Sequence, residues 1–378
     1  MKHMHKAQEQ GFVSILSVIF FVLLMSVLTI SFLRIMSDEQ TQVVNDDLSK
    51  GALASAQSGV EDAKRALIYC NQQVGAARTS CFQTLNNPDC PGIFDPSQPM
   101  NLTTALGLDA SIGDGSIRVG DPANNQRYTC VITSLQTPDV VGQASEGLGE
   151  LIPLRSTGNF NQLTVRWQQM SVDGTLAIPK VADGNKSYRY SEWKDSVTNT
   201  RFVPMMRLQL VSFDKTQTIP QMQDNTVGMF LTPYFTGYTM NNPNHIPLSS
   251  ISLGGLGDKR AEVWCSPSQD YQCGVTIDLP ADSPNDNKEY YLYVGSVYGS
   301  PHYKLELANS GAIQQFDNIQ PQVDSTGAAA DVFRRVISRI SYNSDSFLTM
   351  NAIEAGQSLC KDFFVTDTSV TSPANCVP

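Results

Sequence analysis

The sequence predicts an α+β protein: a long N-terminal helix, transmembrane and then amphipathic, packed on a β-rich, disulfide-bonded exported domain. Three observations lead to this fold class. Residues 12–33 form an uncharged apolar run. The chain then continues without proline until Pro88, with apolar residues at helical spacing. Farther on, short runs of alternating apolar and polar residues lie between turn-forming residues. Every cysteine lies after the apolar run.

The apolar run from Phe12 to Leu33 is long enough to cross a membrane. As a helix, its 22 residues extend about 33 Å, which matches the hydrocarbon core of a bilayer. A cleavable export signal has a shorter apolar run of about 7–15 residues and ends at a small-x-small site. Here Leu33 is followed by Arg34, so we predict a transmembrane helix.

The charges beside this run predict its orientation. Lys2 and Lys6 precede the run, and acidic residues from Asp38 onward follow it. Because positively charged flanks stay on the cytoplasmic side, we expect residues 1–11 in the cytoplasm. Residues 12–33 would then be a single pass through the cytoplasmic membrane, with the rest of the chain outside.

We predict that the helix continues outside the membrane over residues 34–69. From Leu48 onward, apolar and small residues recur every three or four positions and form one stripe. Gly51 and Gly59 weaken the helix, each by about 1 kcal/mol relative to alanine. The stripe needs a partner, which is either the exported domain of the same chain or neighbouring helices in a bundle.

The exported region has the sequence character of a β domain. Alternating, aromatic and β-branched runs predict strands at residues 162–168, 207–213, 289–298 and 303–307. We expect the last two of these to pair as a hairpin. Residues 331–342 favour a strand, although Val332, Val336 and Ile340 are also at helical spacing.

A proline- and asparagine-rich stretch at residues 240–250 has the composition of a linker. It suggests a β-rich region over 70–240 and another over 246–378. The latter is either a second domain or a continuation of the first, in which case the stretch is a long surface loop.

The eight cysteines predict disulfides in an oxidising compartment. Closeness in sequence favours the pairs Cys265–Cys273 and Cys360–Cys376. The four N-terminal cysteines allow three connectivities. Among these we favour Cys81–Cys90, which leaves Cys70–Cys130.

Composition and motifs argue against several functions. A net charge of −10 does not suit a nucleic-acid-binding surface. The chain has no C-x-x-C pair, and only His245 and His302 lie outside residues 1–11, so we predict no metal site and no cofactor. Hydrolase and phosphate-loop motifs are absent from the sequence. We therefore expect a protein that is not an enzyme.

A basic leader that ends in Gly11 is followed by Phe12 and an apolar helix. In this order of features the N-terminal region resembles type IV prepilins. The resemblance implies that a prepilin peptidase cuts after Gly11 and that the new N-terminus, Phe12, is methylated. The alanine-rich run followed by an acidic residue over 46–67 is similar to the PilX-like minor pilins. The resemblance covers about 70 residues.

One position departs from the pilin pattern. Most pilins have glutamate at the fifth mature position, where this chain has Leu16. The resemblance then implies a minor subunit, or a tip subunit, with a structural and adhesive role. Its partners would be other pilin subunits, contacted through the helix, the inner membrane before assembly, and an unknown surface ligand. The alternative is a monomeric, signal-anchored surface adhesin or receptor that does not polymerise.

Overall fold

The structure is a computed structural model. It describes residues 8–110, 115–171, 174–175, 187–189, 202–214, 216, 226–235, 244–248, 259–266, 269–279, 288–341 and 364–366. Most of the predicted leader, residues 1–7, lies outside this set.

The described part of the chain contains three α-helices, a short 3-10 helix at Pro122–Asn124 and nineteen strands. The helices are α1 (Gln8–Gln72), α2 (Gly75–Leu85) and α3 (Leu102–Leu106). The strands are β1 (Ile117–Arg118), β2 (Gln126–Thr137), β3 (Val140–Gln143), β4 (Gly149–Pro153), β5 (Gln162–Gln168), β6 (Met170–Ser171), β7 (Gly174–Thr175), β8 (Ser187–Arg189), β9 (Met205–Asp214), β10 (Thr226–Phe235), β11 (Asn244–Pro247), β12 (Lys259–Cys265), β13 (Cys273–Asp278), β14 (Lys288–Val297), β15 (His302–Asn309), β16 (Ala312–Gln314), β17 (Phe316–Ala329), β18 (Val332–Arg339) and β19 (Phe364–Thr366).

The chain divides into two compact units. The first contains Met1–Thr133 and Val323–Ser338, and the second contains Ser134–Gln322 and Arg339–Pro378. Most of the second unit, Ser134–Gln322, comes between β2 and β17 in sequence, and these two strands are neighbours in one sheet. β10 and β12, on opposite sides of the predicted linker at 240–250, pair with each other. Strands from both predicted regions, 70–240 and 246–378, therefore pair within the sheet of the second unit.

The first unit is a long helix packed on a small sheet. Its four strands follow the order β1, β2, β17, β18. Helix α1 runs without interruption from Gln8 to Gln72, which contains the predicted 12–69. From residue 51 onward, the buried positions on α1 recur at helical spacing, as the predicted stripe requires; they include Ala52, Ser55, Ala56, Val60, Ala63, Ala66, Leu67 and Cys70.

The second unit is built on an eleven-stranded sheet. Its main path is β16-β15-β5-β13-β12-β10-β9-β14-β4, with β11 beside β13 and β3 beside β15. Trp167 on β5 is fully buried in its core, and the indole Nε1 donates a hydrogen bond of 2.8 Å to the Pro204 carbonyl. This unit gives the chain its β-rich character.

The strand predictions succeed in type and fail in one pairing. Residues 162–168, 207–213, 289–298 and 303–307 lie mostly within β5, β9, β14 and β15, and 331–342 contains β18. The expected hairpin of β14 with β15 does not form, because β14 pairs with β9 and β4 while β15 pairs with β5, β3 and β16. Each of the two strands pairs with other strands instead, and the turn between β14 and β15 does not determine the pairing.

The disulfides of the first unit correct the predicted connectivity. Cys70 pairs with Cys81, and Cys90 pairs with Cys130, in place of Cys81–Cys90 and Cys70–Cys130. The chain turns back after α1 into α2, which brings Cys70 beside Cys81. Cys90 reaches β2 because the Ile93 amide donates a 2.9 Å hydrogen bond to the Val131 carbonyl.

The other four cysteines lie after residue 260. Cys265 and Cys273 are bonded, as predicted, and they face each other in the β12–β13 pair. The predicted pair Cys360–Cys376 lies outside the described residues.

We expect the two disulfides of the first unit to differ in their contribution to stability. The Cys90–Cys130 bond closes 40 residues, and the Cys70–Cys81 bond closes 11. From loop-closure entropy, removing the former by Cys90→Ser with Cys130→Ser should cost about 4 kcal/mol, and removing the latter about 3 kcal/mol. Urea unfolding of the two double variants checks this order. Equal losses, or a larger loss for Cys70→Ser with Cys81→Ser, would contradict it.

Candidate functional site

The N-terminal part of α1 exposes an apolar surface on all sides. Every large apolar side chain described between Ile15 and Ile35 is 45–66% exposed. A helix that is apolar around its whole circumference belongs in lipid or in a bundle. By length and composition it is the one described helix fit to cross a membrane, and none of its apolar window is buried in the protein.

Three hydroxyl groups of this segment are satisfied within the helix. Ser26, Thr29 and Ser31 donate to the carbonyls of Leu23, Met25 and Val27 at 2.8, 2.8 and 2.9 Å. Because these donors already have partners, the segment can enter an apolar environment without the penalty of unpaired hydroxyl donors. The predicted span is therefore compatible with a bilayer in its polar groups as well as its length.

The predicted processing site lies near the beginning of α1. Gly11 and Phe12 are helical, and the structure describes their backbone only. Leu16 lies on the same helix with its side chain more than half exposed.

The second half of α1 lies unusually close to the sheet. A Cβ added to Gly327 on β17 would collide with the Ala52 carbonyl oxygen and the Ala56 nitrogen of the helix backbone. A Cβ on Gly59 would be 3.1 Å from Cγ of Tyr128 on β2. Both glycines thus permit close approach of the helix and the sheet. Gly59, a weak point by helix propensity, serves this packing.

A polar cluster also joins α1 to the sheet. The Tyr128 hydroxyl donates to Oδ2 of Asp62 at 3.0 Å, and Arg65 contacts Oδ1 of Asp62 at 2.8 Å. Arg65 also donates to the Leu106 carbonyl at 3.0 Å, which ties in α3. Asp62 thus receives two partners within the first unit. This cluster holds the helix in register against β2.

We expect stability to fall at alkaline pH because of two buried tyrosines. Burial, followed by the charge of Asp62, raises the pKa of Tyr128 well above its usual value. Burial and Glu150, 2.8 Å from the Tyr303 hydroxyl, do the same for Tyr303. Since the folded pKa exceeds the unfolded value, the stabilisation is complete below pH about 10 and is lost above it, at about 1.4 kcal/mol per pH unit for each tyrosine.

Urea titrations between pH 8 and pH 11.5 check this expectation. Tyr128→Phe should flatten the alkaline decline of the first unit, and Tyr303→Phe that of the second. Unchanged slopes in both variants would contradict the assignment.

The two histidines in the described part of the chain, His245 and His302, lie on the surface. His245 Nδ1 lies 3.2 Å from Oδ1 of Asp278, with both side chains well exposed. His302 is exposed at the start of β15. Among the described residues, no three His, Cys, Asp or Glu side chains gather as a metal site would need.

A mixed charge cluster lies on the second unit. Lys304 is 2.9 Å from Glu306 and 3.3 Å from Asp139, while Arg166 is 3.0 Å from Glu306 and Arg339 is 2.9 Å from Asp139. Burial would raise the pKa of Glu306, but hydrogen bonds from Lys304 and Arg166 lower it below its usual value. The charges satisfy one another, as in a structural network.

No protein-family model, curated protein or solved structure matches the chain. The likeness to prepilins therefore depends on the junction at Gly11 and Phe12 and on the helix that follows.

The apolar segment is evident from the sequence, but the contacts that join the helix to the sheet are not. Tyr128 is 66 residues from Asp62, and neither belongs to a recognisable motif. A glycine within a strand, such as Gly327, is the one signal that could have indicated close backbone approach.

Proposed function

We propose that this protein is a minor subunit of a type IV pilus or a related filament, with a structural and adhesive role. The observation that carries the proposal is the division of α1. Its first part is apolar and exposed in the described structure, while its second part packs on a four-stranded sheet. A helix of this kind can anchor the chain in a membrane and later pack among like helices in a filament.

The proposed route begins in the cytoplasmic membrane, with one span and the disulfide-bonded units outside. The disulfides suit an oxidising, exported compartment. A prepilin peptidase then cuts after Gly11, Phe12 is methylated, and α1 moves from lipid into a filament. The second unit is displayed at the cell surface and meets a surface ligand. The role is structural and involves no catalysis.

Leu16 favours a minor or tip position. A buried N-terminal amine needs a polar or charged partner. Leu16 offers none to the amine of an adjacent subunit at the position where most pilins have glutamate. A subunit at the tip or in low copy number tolerates this loss better than the repeating shaft.

Blocking the junction tests the proposal. We expect Gly11→Leu to retain the leader and to disappear from the sheared filament fraction, because the peptidase requires the small residue. The matched control, Gln8→Leu, changes the leader away from the junction and should be processed normally. Intact mass and the amount in the filament fraction are measured for both. If Gly11→Leu behaves like wild type, the chain is better described as a signal-anchored adhesin.

A further inference from the structure

One edge strand of the first unit, β18, carries two exposed apolar side chains. β18 ends the four-stranded sheet, and β17 is its neighbour on the inner side. Phe333 and Ile337 are 53% and 56% exposed. Alternate residues of a strand share a face, so both lie on one face together with Arg335. Native proteins usually charge or cover an edge strand, and two large apolar side chains there suggest a partner.

This face is turned away from the helix of its own chain. Arg334, at the neighbouring position, donates from Nε to the Ser49 hydroxyl of α1 at 2.9 Å. Because side chains alternate along a strand, Phe333, Arg335 and Ile337 lie on the opposite side. The α1 helix of the same chain therefore does not cover these three side chains.

Arg335 keeps donors available on this face. Its Nε and Nη2 bond to the carboxylate of Asp324, and its side chain is largely exposed. A guanidinium has five N–H donors in a planar fork, so Nη1 remains for a further acceptor. The surface thus combines an apolar pair with a cation between its members.

A complementary surface lies on α1, beyond the predicted span. At 100° per residue, Met36, Glu39, Val43, Asp46 and Asp47 fall within an arc of about 100°. Met36 and Val43 are 56% and 60% exposed. Lys50 falls within the same arc and pairs with Asp46 at 2.6 Å, so the net negative charge of this face comes from Glu39 and Asp47. This face of α1 is acidic and apolar. It therefore complements the face of β18, which carries one cation and two apolar side chains.

We propose that the Phe333–Arg335–Ile337 face of one copy docks on the Met36–Asp47 face of α1 in a second copy. The two surfaces differ, so the contact is heterologous and can repeat from copy to copy into an open assembly. The apolar pairs bury each other, and Arg335 meets the carboxylates of Glu39, Asp46 or Asp47. The inference depends on the proposed function, in which copies of the chain lie side by side.

Photo-cross-linking in cells that produce the full chain tests the contact. A benzoylphenylalanine placed at position 337 should give a covalent species of twice the chain mass. After trypsin digestion, the cross-link should join Val336–Arg339 to the peptide Ile35–Lys50, which contains the whole proposed surface. The same probe at Ile313, an exposed apolar position on β16, should not capture this peptide.

A charge change gives the matched comparison. Asp46→Lys with Asp47→Lys should lower the yield of the cross-linked species roughly fivefold, since repulsion between like charges replaces the attraction to Arg335. Glu61→Lys with Asp89→Lys makes the same charge change away from the surface and should leave the yield unchanged. Cross-links to another region, to another protein or only within one chain would overturn the docking proposal, as would an equal loss in both variants.

The filament fraction of the same cells separates the two proposals. If wild-type chain is processed and enters filaments but position 337 never captures Ile35–Lys50, the docking proposal alone fails. If wild-type chain keeps its leader and never enters filaments, the proposed function fails, whatever the cross-linking pattern.

Discussion

Replacing Gly327 with alanine is expected to destabilise the first unit by about 3 kcal/mol or more. The added Cβ would lie on backbone atoms of Ala52 and Ala56, which cannot rotate away as a side chain can. β17 would have to move off α1, which would open the packing around the buried alanines. Urea unfolding of the purified protein, followed by far-ultraviolet circular dichroism, measures the loss.

Gly51→Ala is the matched control at the same interface. Its new Cβ would meet the flexible end of Gln126, 2.7 Å from Nε2, and Cβ of Ala329 at 3.3 Å. Alanine in place of glycine also favours the helix by about 1 kcal/mol. We therefore expect a change within about 1 kcal/mol of wild type. Similar losses for Gly51→Ala and Gly327→Ala would contradict the account of close backbone packing.

Two aspartates in the apolar segment should remove the chain from the membrane. Val22→Asp with Met25→Asp places two charges near the middle of the predicted span, at a cost of about 3 kcal/mol each. Neither position has packing within the protein to lose, since both side chains are more than half exposed. The amount of chain in carbonate-washed membranes should fall to a small fraction of the wild-type level.

Val44→Asp with Val74→Asp is the corresponding control. Both valines are more than half exposed, like Val22 and Met25, but lie beyond the predicted span. This variant should remain in the washed membranes at the wild-type level. Equal behaviour of the two double variants would show that the apolar surface of α1 has no membrane role.

Local pattern was enough to predict the helix and most strand positions. The uncharged run, the absence of proline before Pro88 and the stripe from Leu48 are properties of neighbouring residues, and α1 follows them from Gln8 to Gln72. The alternation in 162–168 likewise predicts β5. Periodicity depends on local geometry, so it survives in the fold.

Contacts between distant residues could not be predicted in this way. β2 and β17 are neighbours in one sheet, although most of the second unit separates them in sequence. No local signal in the sequence marks their pairing. Loop-closure entropy favours Cys81–Cys90, but the turn from α1 into α2 brings Cys70 to Cys81. The entropy difference between short loops is small, and tertiary packing exceeds it easily.

The candidate site was predictable in position but not in its surroundings. Length, charge order and the Gly11–Phe12 junction pointed to α1 as the functional element. The exposed pair on β18 and the cluster at Asp62 depend on which strands lie at the edge and which lie under the helix. The position of each strand in the sheet depends on contacts between distant residues, which the local sequence pattern does not determine.

The mass of the N-terminal peptide, taken from protein purified out of cells that carry the complete assembly system, tests the central claim most directly. The account predicts that the mature chain begins at Phe12 and carries one additional methyl group on its amine. A chain that begins at Met1, with the leader intact and no methylation, would contradict it.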